Sequence, residues 1–477
     1  MYQQYINGKL VDGEGPVLRV ENPATGEVVG EFRAASERQA LEALESAQRA
    51  FKTWSKTSLD ERVAWVLKLR DALLNSKDEL LELLMLESGK TYSQADGDFQ
   101  QGIRRLSFMA EEGRRVYGVS FPSYNTAPGE AYHVVEKRPV GVVVAHVAWN
   151  FPIGNAALKI GPILVSGCTG VLRPSRETPL TAMKIGIIAT ELGLPAGVMN
   201  IITGSSQTLG PVLNGSDIPR MITLIGSVET GREVMRQGAS SIKKYSLELG
   251  GNAPVIIMPD ADIQKAAKLT VQRKTSNAGQ VCICYNRFYV HTSVHEQFCE
   301  AVEKELQRVT LGSGKDNGEI VMGPMINRRA RDRMLELIRE ACDQGAQLVC
   351  GGTVPNDRQA GNWITPALLV NVSDQMRVAR EEIFGPIIAI QKYSDLDDAL
   401  ARANDTPCGL TSYLFGHDTR AVAKAFEGLE FGEVYVNGIP NGVYLPHCGV
   451  KQSGVGCDNS FLSLEEYFDF KRFSMIP

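Results

Sequence analysis

Two cysteines separated by one residue, Cys282 and Cys284, follow a stretch of small and polar residues at 276–280. Small residues and glycine before a cysteine let the backbone come close to the group that the sulfur attacks. A cysteine thiolate is a strong nucleophile toward a carbonyl carbon. The pattern otherwise indicates two buried packing cysteines. A zinc site would need further ligands that no second cysteine pair or histidine cluster supplies, so we expect no metal.

Two other stretches carry side chains that suit the same chemistry. Asn150 lies in Ala-Trp-Asn-Phe-Pro at 148–152, and Glu248 lies in Leu-Glu-Leu-Gly-Gly-Asn at 247–252. In order and spacing, these motifs and the cysteine stretch resemble the aldehyde dehydrogenase superfamily. The nearest branch is the one that holds succinate-semialdehyde and lactaldehyde dehydrogenases. The resemblance runs from Tyr-Ile-Asn-Gly at 5–8 to the last residues.

The resemblance implies a role for each of five side chains. Cys282 adds to the aldehyde, and the resulting thiohemiacetal expels hydride to leave a thioester. Asn150 and the Cys282 backbone N–H hold the oxyanion. Glu248 is the base for the water that hydrolyses the thioester. Lys159 and Asp458 match a proton relay, although the family more usually has glutamate at the second position.

The resemblance also implies a nicotinamide dinucleotide site. Gly226, Ser227 and Thr230 form a turn between a predicted strand and a predicted helix, where backbone N–H groups bind pyrophosphate. Glu382 and Phe384 match residues at the nicotinamide ribose and ring. The complete predicted cofactor set is Val147, Ala148, Trp149, Asn150, Arg173, Ser175, Arg176, Gly210, Gly226, Ser227, Thr230, Leu249, Gly250, Glu382 and Phe384.

Arg176 decides between the two forms of the cofactor. Family members that prefer NAD often have glutamate there, which accepts from the adenosine ribose hydroxyls and repels a 2′-phosphate. An arginine attracts that phosphate through a charge-assisted pair. We therefore predict NADP as the preferred cofactor, with NAD possible. Glu177, next in the chain, would oppose this preference if it turned inward.

The predicted substrate pocket contains Asn155, Leu158, Ser276, Cys284 and Asn441. Semialdehyde dehydrogenases of the family place arginines at the positions of Leu158 and Ser276, where they hold a substrate carboxylate. Because both arginines are missing, we predict a small neutral or hydroxy aldehyde as substrate. Cys284 is interpreted as a packing residue or a redox partner of Cys282. Tyr444 and His447 are also expected at the pocket mouth, and we interpret His447 as a structural histidine rather than a substrate ligand.

Three alternatives remain open. The first is a semialdehyde dehydrogenase for an acidic substrate. The second is a CoA-acylating enzyme, although such relatives typically lack the residue that corresponds to Glu248. The third, of a different class, is a non-catalytic binding relative, which should have lost Cys282, Asn150 or Glu248 and has lost none of them.

Apolar runs that alternate with helical patterns from residue 141 onward predict the fold. With the resemblance, they indicate an α/β protein with a doubly wound Rossmann-type cofactor domain, an α/β catalytic domain and a small β oligomerisation extension. We predict a cofactor domain at 1–118 and 139–247 and a catalytic domain at 248–436. The extension covers 119–138 and 464–477. Residues 437–463 form a return segment near the active-site mouth.

Composition limits the partners. The 477 residues are 43% hydrophobic and 22% charged with a net charge of −5, which argues against nucleic acid and anionic membranes. No apolar run or leader pattern indicates a membrane span or a signal peptide. Nine scattered cysteines do not resemble a disulfide framework, so we expect a cytoplasmic protein. A strand edge that pairs between subunits in the family implies a homo-oligomer, a dimer or tetramer.

Overall fold

The structure is a computed structural model that describes residues 1–123, 127, 129–316, 318, 320–440 and 442–476. Within these ranges, no helix is both long and apolar enough to cross a bilayer. Asn441, one of the predicted pocket residues, lies outside the described residues.

Strands account for three sheets of three or more strands and several two-stranded ribbons in the described chain. The strands are β1 (Gln4–Ile6), β2 (Lys9–Val11), β3 (Val17–Glu21), β4 (Val28–Arg33), β5 (Val119–Phe121), β6 (Tyr132–Pro139), β7 (Val142–Val147), β8 (Thr169–Pro174), β9 (Met199–Ile201), β10 (Pro219–Ile225), β11 (Lys244–Glu248), β12 (Pro254–Ile257), β13 (Arg287–His291), β14 (Val309–Leu311), β15 (Ile320–Met322), β16 (Gln347–Cys350), β17 (Ala367–Val370), β18 (Ile387–Tyr393), β19 (Cys408–Gly409), β20 (Thr411–Phe415), β21 (Glu433–Val436), β22 (Val450–Lys451), β23 (Gly454–Val455) and β24 (Phe468–Met475).

Helices cover the faces of the two large sheets. They are α1 (Glu37–Trp54), α2 (Leu59–Asn75), α3 (Lys77–Ser88), α4 (Tyr92–Gly113), α5 (Pro152–Ser166), α6 (Leu180–Glu191), α7 (Ser206–Gly215), α8 (Val228–Gly238), α9 (Ile263–Thr275), α10 (His295–Leu306), α11 (Arg328–Asp343), α12 (Arg377–Arg380), α13 (Leu396–Asn404), α14 (Thr419–Gly428) and α15 (Ser460–Glu465). A 3₁₀ turn, Ser276–Gly279, follows α9.

The first large sheet has the order β2-β1-β9-β8-β7-β10-β11-β23, and its five central strands are parallel. Strand β7 is buried throughout. Its Val143 and Ala145 pack into the core formed with α2, α4, α5 and α6, whereas Val142 and Val144 pack into the core formed with α1, α7 and α8. Helices on both faces of a parallel sheet confirm the predicted doubly wound fold.

The second large sheet has the order β16-β17-β18-β13-β12-β20-β21 and is parallel except at β16. The predicted domain boundaries stay a prediction. A third sheet has the order β24-β6-β5, and β24 pairs with β6 along its whole length. Phe470 and Phe473 on β24 are exposed. The predicted homo-oligomer stays a prediction.

One disulfide departs from the expectation of unpaired cysteines. Cys448 and Cys457 are bonded, and their Cα atoms lie 4.3 Å apart. The cause is an antiparallel bridge between the neighbouring residues His447 and Asp458, whose backbone N–H and C=O groups bond reciprocally at 2.8 and 2.7 Å. This pairing joins positions nine residues apart and is not visible in the spacing of the cysteines alone. The other seven cysteines are free.

Candidate active site

The carboxyl edge of the first large sheet assembles the candidate site. Strand β7 ends at Val147 and leads into Asn150, and β11 ends at Glu248. In an open parallel sheet, ligands bind beyond the carboxyl ends of the strands. The second large sheet contributes the segment between α9 and β13, which carries Cys282.

The backbone before Cys282 adopts an uncommon conformation. Asn277, Ala278 and Gly279 have φ angles of 48°, 52° and 73° in the left-handed region. Non-glycine residues there cost of the order of 1–3 kcal/mol each, so the surrounding contacts must hold them in place. A side chain at Gly279 would collide with the Gly385 carbonyl. The small residues noted in the sequence thus permit this tight turn.

Hydrogen bonds join the cysteine segment to the segment that carries Asn150. The Asn277 side-chain amide donates to the Asn150 carbonyl at 3.2 Å, and the Asn150 amide donates to the Gln280 carbonyl at 3.2 Å. Asn155 donates to Asn150 Oδ1 at 3.3 Å, which fixes the orientation of the carboxamide. An amide carries two N–H donors, so Asn150 retains one for an oxyanion. The Cys282 N–H has no acceptor within the described residues.

Cys282 is partly exposed and lies where two cavities meet. A cavity of about 350 Å³ and a groove of about 660 Å³ share Asn150, Ile225, Glu248, Leu249 and Cys282 as lining residues. A sulfur at this junction can reach a small molecule in the cavity and a cofactor in the groove. The position is unlike that of a buried packing cysteine.

Glu248 is a buried carboxylate without a hydrogen-bond partner among the described residues. Burial raises the pKa of Glu248 well above its usual value, and the charge of Asp458 adds to the effect, whereas His447 and Lys159 oppose it. A base poised nearer to neutral pH suits proton abstraction from water. Lys159 Nζ lies 2.6 Å from Asp458 Oδ1, and both side chains are buried. The structure therefore brings together the pair expected for the relay.

The groove has the features that a nicotinamide dinucleotide requires. Its lining includes the predicted residues Ala148, Trp149, Asn150, Gly226, Ser227, Leu249, Gly250, Glu382 and Phe384. Ser227 caps α8, whose free N–H groups lie at the sheet edge, as in known pyrophosphate sites. A side chain at Gly250 would collide with the Glu382 carboxylate. Burial raises the pKa of Glu382 to about 7, although the carboxylate accepts the Gly251 N–H at 3.1 Å.

The other predicted cofactor residues lie near the groove without lining it. Val147 is buried at the end of β7, and Thr230 lies in the first turn of α8. Arg173 of β8 lies opposite His146 of β7 in the sheet, and its guanidinium donates a hydrogen bond to Ser206 Oγ at 2.7 Å. Gly210 packs against Gln237 of α8.

Ser175 and Arg176 follow β8 at the same sheet edge. The Arg176 side chain is 64% exposed, and its Nε lies 3.7 Å from the Glu177 carboxylate. Arg176 also lines a small separate cavity together with Arg19 and Arg328. The predicted phosphate-binding guanidinium is thus exposed at the sheet edge beside Glu177 and is not among the residues that line the groove.

The cavity of about 350 Å³ beside Cys282 is lined by three of the predicted pocket residues, Asn155, Leu158 and Ser276. Cys284 is not among the lining residues, which contradicts its assignment to the pocket. Its side chain is buried beneath the segment, and its thiol lies 3.7 Å from the Arg273 carbonyl. Burial raises the pKa of the Cys284 thiol. A redox bond between Cys282 and Cys284 stays a hypothesis.

Sequence reasoning missed several polar residues of this cavity. Arg104, Arg105 and Arg273 line it and form no salt bridge within the described part of the chain. Glu433 also lines it, and so does His447, which was expected at the pocket mouth as a structural histidine. The expectation of a neutral pocket was based on the missing arginines at 158 and 276 and on uncharged polar residues at the mouth. The sequence did not predict that Arg104 and Arg105 of α4 line the cavity, because the packing of a helix decides which of its side chains face a cavity.

A partly exposed cysteine lies between a small cavity and a groove, with an amide and a buried carboxylate beside it. This arrangement suits the class of NAD(P)-dependent aldehyde dehydrogenases. The family model "Aldehyde dehydrogenase family" matches residues 10–473. The chain belongs to this family.

Similar proteins agree with this assignment. The chain is 36% identical over 471 residues to a succinate-semialdehyde dehydrogenase [NADP(+)] of Escherichia coli K12, covering 98% of this chain and 96% of the relative. It is 36% identical over 472 residues to a 3-sulfolactaldehyde dehydrogenase of Pseudomonas putida, with the same two coverages. A crystal structure of an E. coli NADP-dependent enzyme has a TM-score of 0.96 and 36% identity, covering 100% of this chain and 98% of that chain.

Proposed function

We propose that this protein oxidises an aldehyde bearing an anionic group to the carboxylic acid, with NADP as the preferred cofactor. The position of Cys282 carries the proposal, because it adjoins both the small cavity and the cofactor groove. The succinate-semialdehyde and 3-sulfolactaldehyde relatives, whose named substrates are anionic, support the substrate class.

The reaction begins when the Cys282 thiolate adds to the aldehyde carbon. The carbonyl oxygen becomes an oxyanion, which the Asn150 amide and the Cys282 N–H stabilise. Bound NADP⁺ supplies the hydride acceptor that makes the oxidation possible. Collapse of the oxyanion with loss of hydride leaves an acyl group on Cys282 as a thioester.

Water then cleaves the thioester. Glu248 takes a proton from this water, whose oxygen attacks the acyl carbon and releases the acid and the Cys282 thiolate. Glu248 has no competing hydrogen-bond partner within the described chain, so its oxygens are available to water. Its presence supports hydrolysis over transfer of the acyl group to CoA.

Arg105 supports an anionic substrate. Its Nε donates to Asn459 Oδ1 at 3.2 Å, but its Nη1 is buried without a partner in the described residues. A buried cation is costly unless a negative group pairs with it. Asp458 and Asp98 act on the charge of Arg105, but these carboxylates are paired with Lys159 and Lys90. A carboxylate or sulfonate at the far end of the aldehyde would supply a direct partner, and Arg273 also lines the cavity.

An aldehyde panel measured at 340 nm tests the function. With NADP, we expect kcat/KM for succinate semialdehyde to exceed that for its methyl ester, which has similar length and no charge, by roughly 10- to 100-fold, the effect of one charge-assisted hydrogen bond. Arg105→Gln should remove most of this preference, and Arg105→Lys should restore part of it. For the unmodified enzyme and for each variant, kcat/KM is measured with the acid and with its methyl ester.

The matched control is Arg339→Gln, because Arg339 is exposed on α11 and outside the cavity. It should leave the ratio unchanged. Equal kcat/KM values for the acid and the ester in the unmodified enzyme would contradict the anionic substrate. They would favour the second candidate, a neutral or hydroxy aldehyde such as glycolaldehyde or lactaldehyde, which the absence of arginines at 158 and 276 supports. No oxidation of any aldehyde with either cofactor would contradict the function itself.

Arg176→Glu should reverse the cofactor preference. We expect kcat/KM for NADP to fall by roughly 10- to 100-fold, because a charge-assisted pair with the 2′-phosphate is replaced by repulsion, while NAD is accepted at least as well as before. The measurement is kcat/KM for both cofactors at one saturating aldehyde concentration. Arg329→Gln, an exposed arginine of α11, is the control. A clear NAD preference in the unmodified enzyme would contradict the prediction.

A further inference from the structure

Glu248 is buried, and neither of its carboxylate oxygens has a hydrogen-bond partner within the described residues. Burial disfavours the charged form of a carboxyl group, so such a side chain tends to hold a proton. A protonated Glu248 cannot take a proton from water. The ionised form therefore needs a positive charge nearby, and Nε2 of His447 lies 3.9 Å from Glu248 Oε2.

The imidazole of His447 lies between two carboxylates. Its Nδ1 is 2.6 Å from Glu433 Oε1, whereas its Nε2 faces Glu248. A carboxylate offers only acceptors, so Nδ1 carries a hydrogen that it donates to Glu433. A neutral ring would then direct the lone pair of Nε2 at the negative charge of Glu248. The imidazolium replaces this repulsion by attraction, and it does so at ion-pair distance but beyond hydrogen-bond reach, which leaves the Glu248 oxygens available to water.

Glu433 holds the ring in this orientation. The Tyr435 hydroxyl donates to Glu433 Oε2 at 2.5 Å, and both residues lie on β21, a strand of the second large sheet. The Tyr435 ring stacks on Tyr413 of β20, with the ring centroids 5.4 Å apart. The carboxylate therefore has a fixed position, and its second oxygen fixes Nδ1 of the imidazole.

The backbone of His447 is held independently of its side chain. Its N–H donates to the Asp458 carbonyl at 2.8 Å, and its carbonyl accepts the Asp458 N–H at 2.7 Å. The disulfide between Cys448 and Cys457 joins the next residues of the same pairing. Side chain and backbone together keep Nε2 beside Glu248, as a residue that positions a reacting group requires.

We infer that His447 is a positioning residue for thioester hydrolysis, whose imidazolium keeps the buried Glu248 carboxylate in the ionised form that accepts a proton from water. No bond forms or breaks between the two side chains. Glu248 takes the proton of the water, and His447 keeps its own. The inference rests on the proposed function in taking Glu248 as the base.

The groups that face His447 favour its charged form. Burial opposes a charge on the ring, but Cys282, Glu433 and Glu248 favour it and raise the pKa of His447 well above its usual value. The ring is thus positively charged at neutral pH, because a group stays protonated below its pKa.

The groups that face Glu248 point to His447 as the one that matters. Burial raises the pKa of Glu248, and His447 is the largest effect that lowers it. Asp458 and Glu433 add to the raised pKa, whereas Lys159 opposes it. Lys159 and Asp458 are paired with each other at 2.6 Å, so their charges largely offset at Glu248. Removing the imidazolium should therefore raise the pKa of Glu248 further.

Infrared spectroscopy of the Glu248 carboxyl tests the inference without aldehyde or cofactor. The band of the protonated carboxyl is isolated by subtracting the spectrum of the same protein with Glu248→Gln, and it is followed from pH 5 to 10. A neighbouring opposite charge lowers the pKa of a carboxyl by roughly 1–3 units. In His447→Gln and His447→Phe, the midpoint should therefore lie at least about 1 unit above that of the unmodified protein.

Hydrolysis of the thioester supplies a second readout. Enzyme in excess over succinate semialdehyde is mixed with NADP and quenched in acid, and the acyl group on the Cys282 peptide is followed by mass spectrometry. Below the midpoint of the unmodified protein, hydrolysis in His447→Gln should be roughly tenfold slower for each unit by which the midpoint has moved. It should recover at high pH. The first release of NADPH should stay within a few-fold, whereas a merely structural loss would slow both steps at every pH.

Two further variants complete the test. His447→Lys keeps a positive charge at this position, so the Glu248 midpoint should return toward that of the unmodified protein. His295→Gln is the matched control, because His295 of α10 is also buried and lines neither the cavity nor the groove. It should leave the midpoint unchanged. Binding of NADPH by each variant shows that the fold is intact.

An unchanged Glu248 midpoint in both His447→Gln and His447→Phe would overturn the inference. So would a Glu248 carboxyl that stays protonated up to pH 10 in the unmodified protein. Either result can be separated from failure of the proposed function. If the midpoint is unchanged while the unmodified protein oxidises aldehydes, the inference fails and the function stands. If the midpoint moves but no aldehyde is oxidised with either cofactor, the function fails and the pairing of His447 with Glu248 stands.

Discussion

Replacing Cys282 by alanine lowers kcat for aldehyde oxidation by at least roughly 10⁴-fold. Loss of a nucleophile that acts together with its base and oxyanion donors typically costs this much or more. No other described thiol can substitute, since Cys284 is buried outside the cavity. Binding of NADPH, measured by fluorescence, should be unchanged, because the groove keeps its remaining lining residues.

Cys284→Ala is the matched control. It removes a thiol two residues away that contacts only the interior, so kcat should stay within a few-fold of the unmodified value, with a modest loss of stability from the lost packing. A Cys282→Ala variant that retains a tenth or more of the activity would contradict the covalent mechanism. Equal losses in both variants would show that the segment, rather than the sulfur, matters.

Glu248→Gln should separate the two halves of the reaction. We expect the first turnover to release one NADPH per site at a rate near that of the unmodified enzyme, while kcat falls by roughly 10²–10⁴-fold, the usual contribution of a general base. The acyl group should then accumulate on Cys282. A rapid-mixing measurement at 340 nm resolves the burst, and intact mass measurement detects the thioester.

The pH dependence supplies a second readout for Glu248. Since burial raises the pKa of this carboxyl, the hydrolytic step of the unmodified enzyme should slow as pH falls through that raised pKa, when the base becomes protonated. The dependence should disappear in Glu248→Gln and shift in Glu248→Asp. Hydroxylamine, which attacks thioesters directly, should restore turnover in Glu248→Gln. Normal kcat in that variant would contradict the assignment, and so would NADPH formation without an initial burst.

Much of the fold could be predicted from the sequence, because its elements depend on local patterns. The apolar run of β7 predicted a strand covered on both faces, and the structure has it in the middle of a parallel sheet. Gly226, Ser227 and Thr230 predicted a turn that opens a helix, and Ser227 caps α8 in the structure. Cys282, Asn150 and Glu248 could be named from their motifs, and the structure brings the three to one junction.

The remaining site residues could not be predicted, because they meet only through tertiary structure. His447 was expected at the pocket mouth, but its contacts with Glu433 and Glu248 depend on a backbone pairing with Asp458 that no local pattern indicates. Arg105 faces the cavity because of how α4 packs against α5, and adjacent positions on a helix point in different directions. The lining of this cavity comes from α4, α5, α9, β11 and β21 among others, so its charge cannot be inferred from the missing arginines at 158 and 276.

The junction at Cys282 has a consequence for how the two reactants compete. If the aldehyde tail binds in the cavity and the dinucleotide in the groove, as proposed, the two meet only at the five lining residues that both spaces share. Neither then needs to leave before the other can enter. A longer aldehyde tail would press against the walls of the cavity and would leave binding of the dinucleotide in the groove unaffected. Natural variation in tail preference can therefore arise without any change in coenzyme affinity.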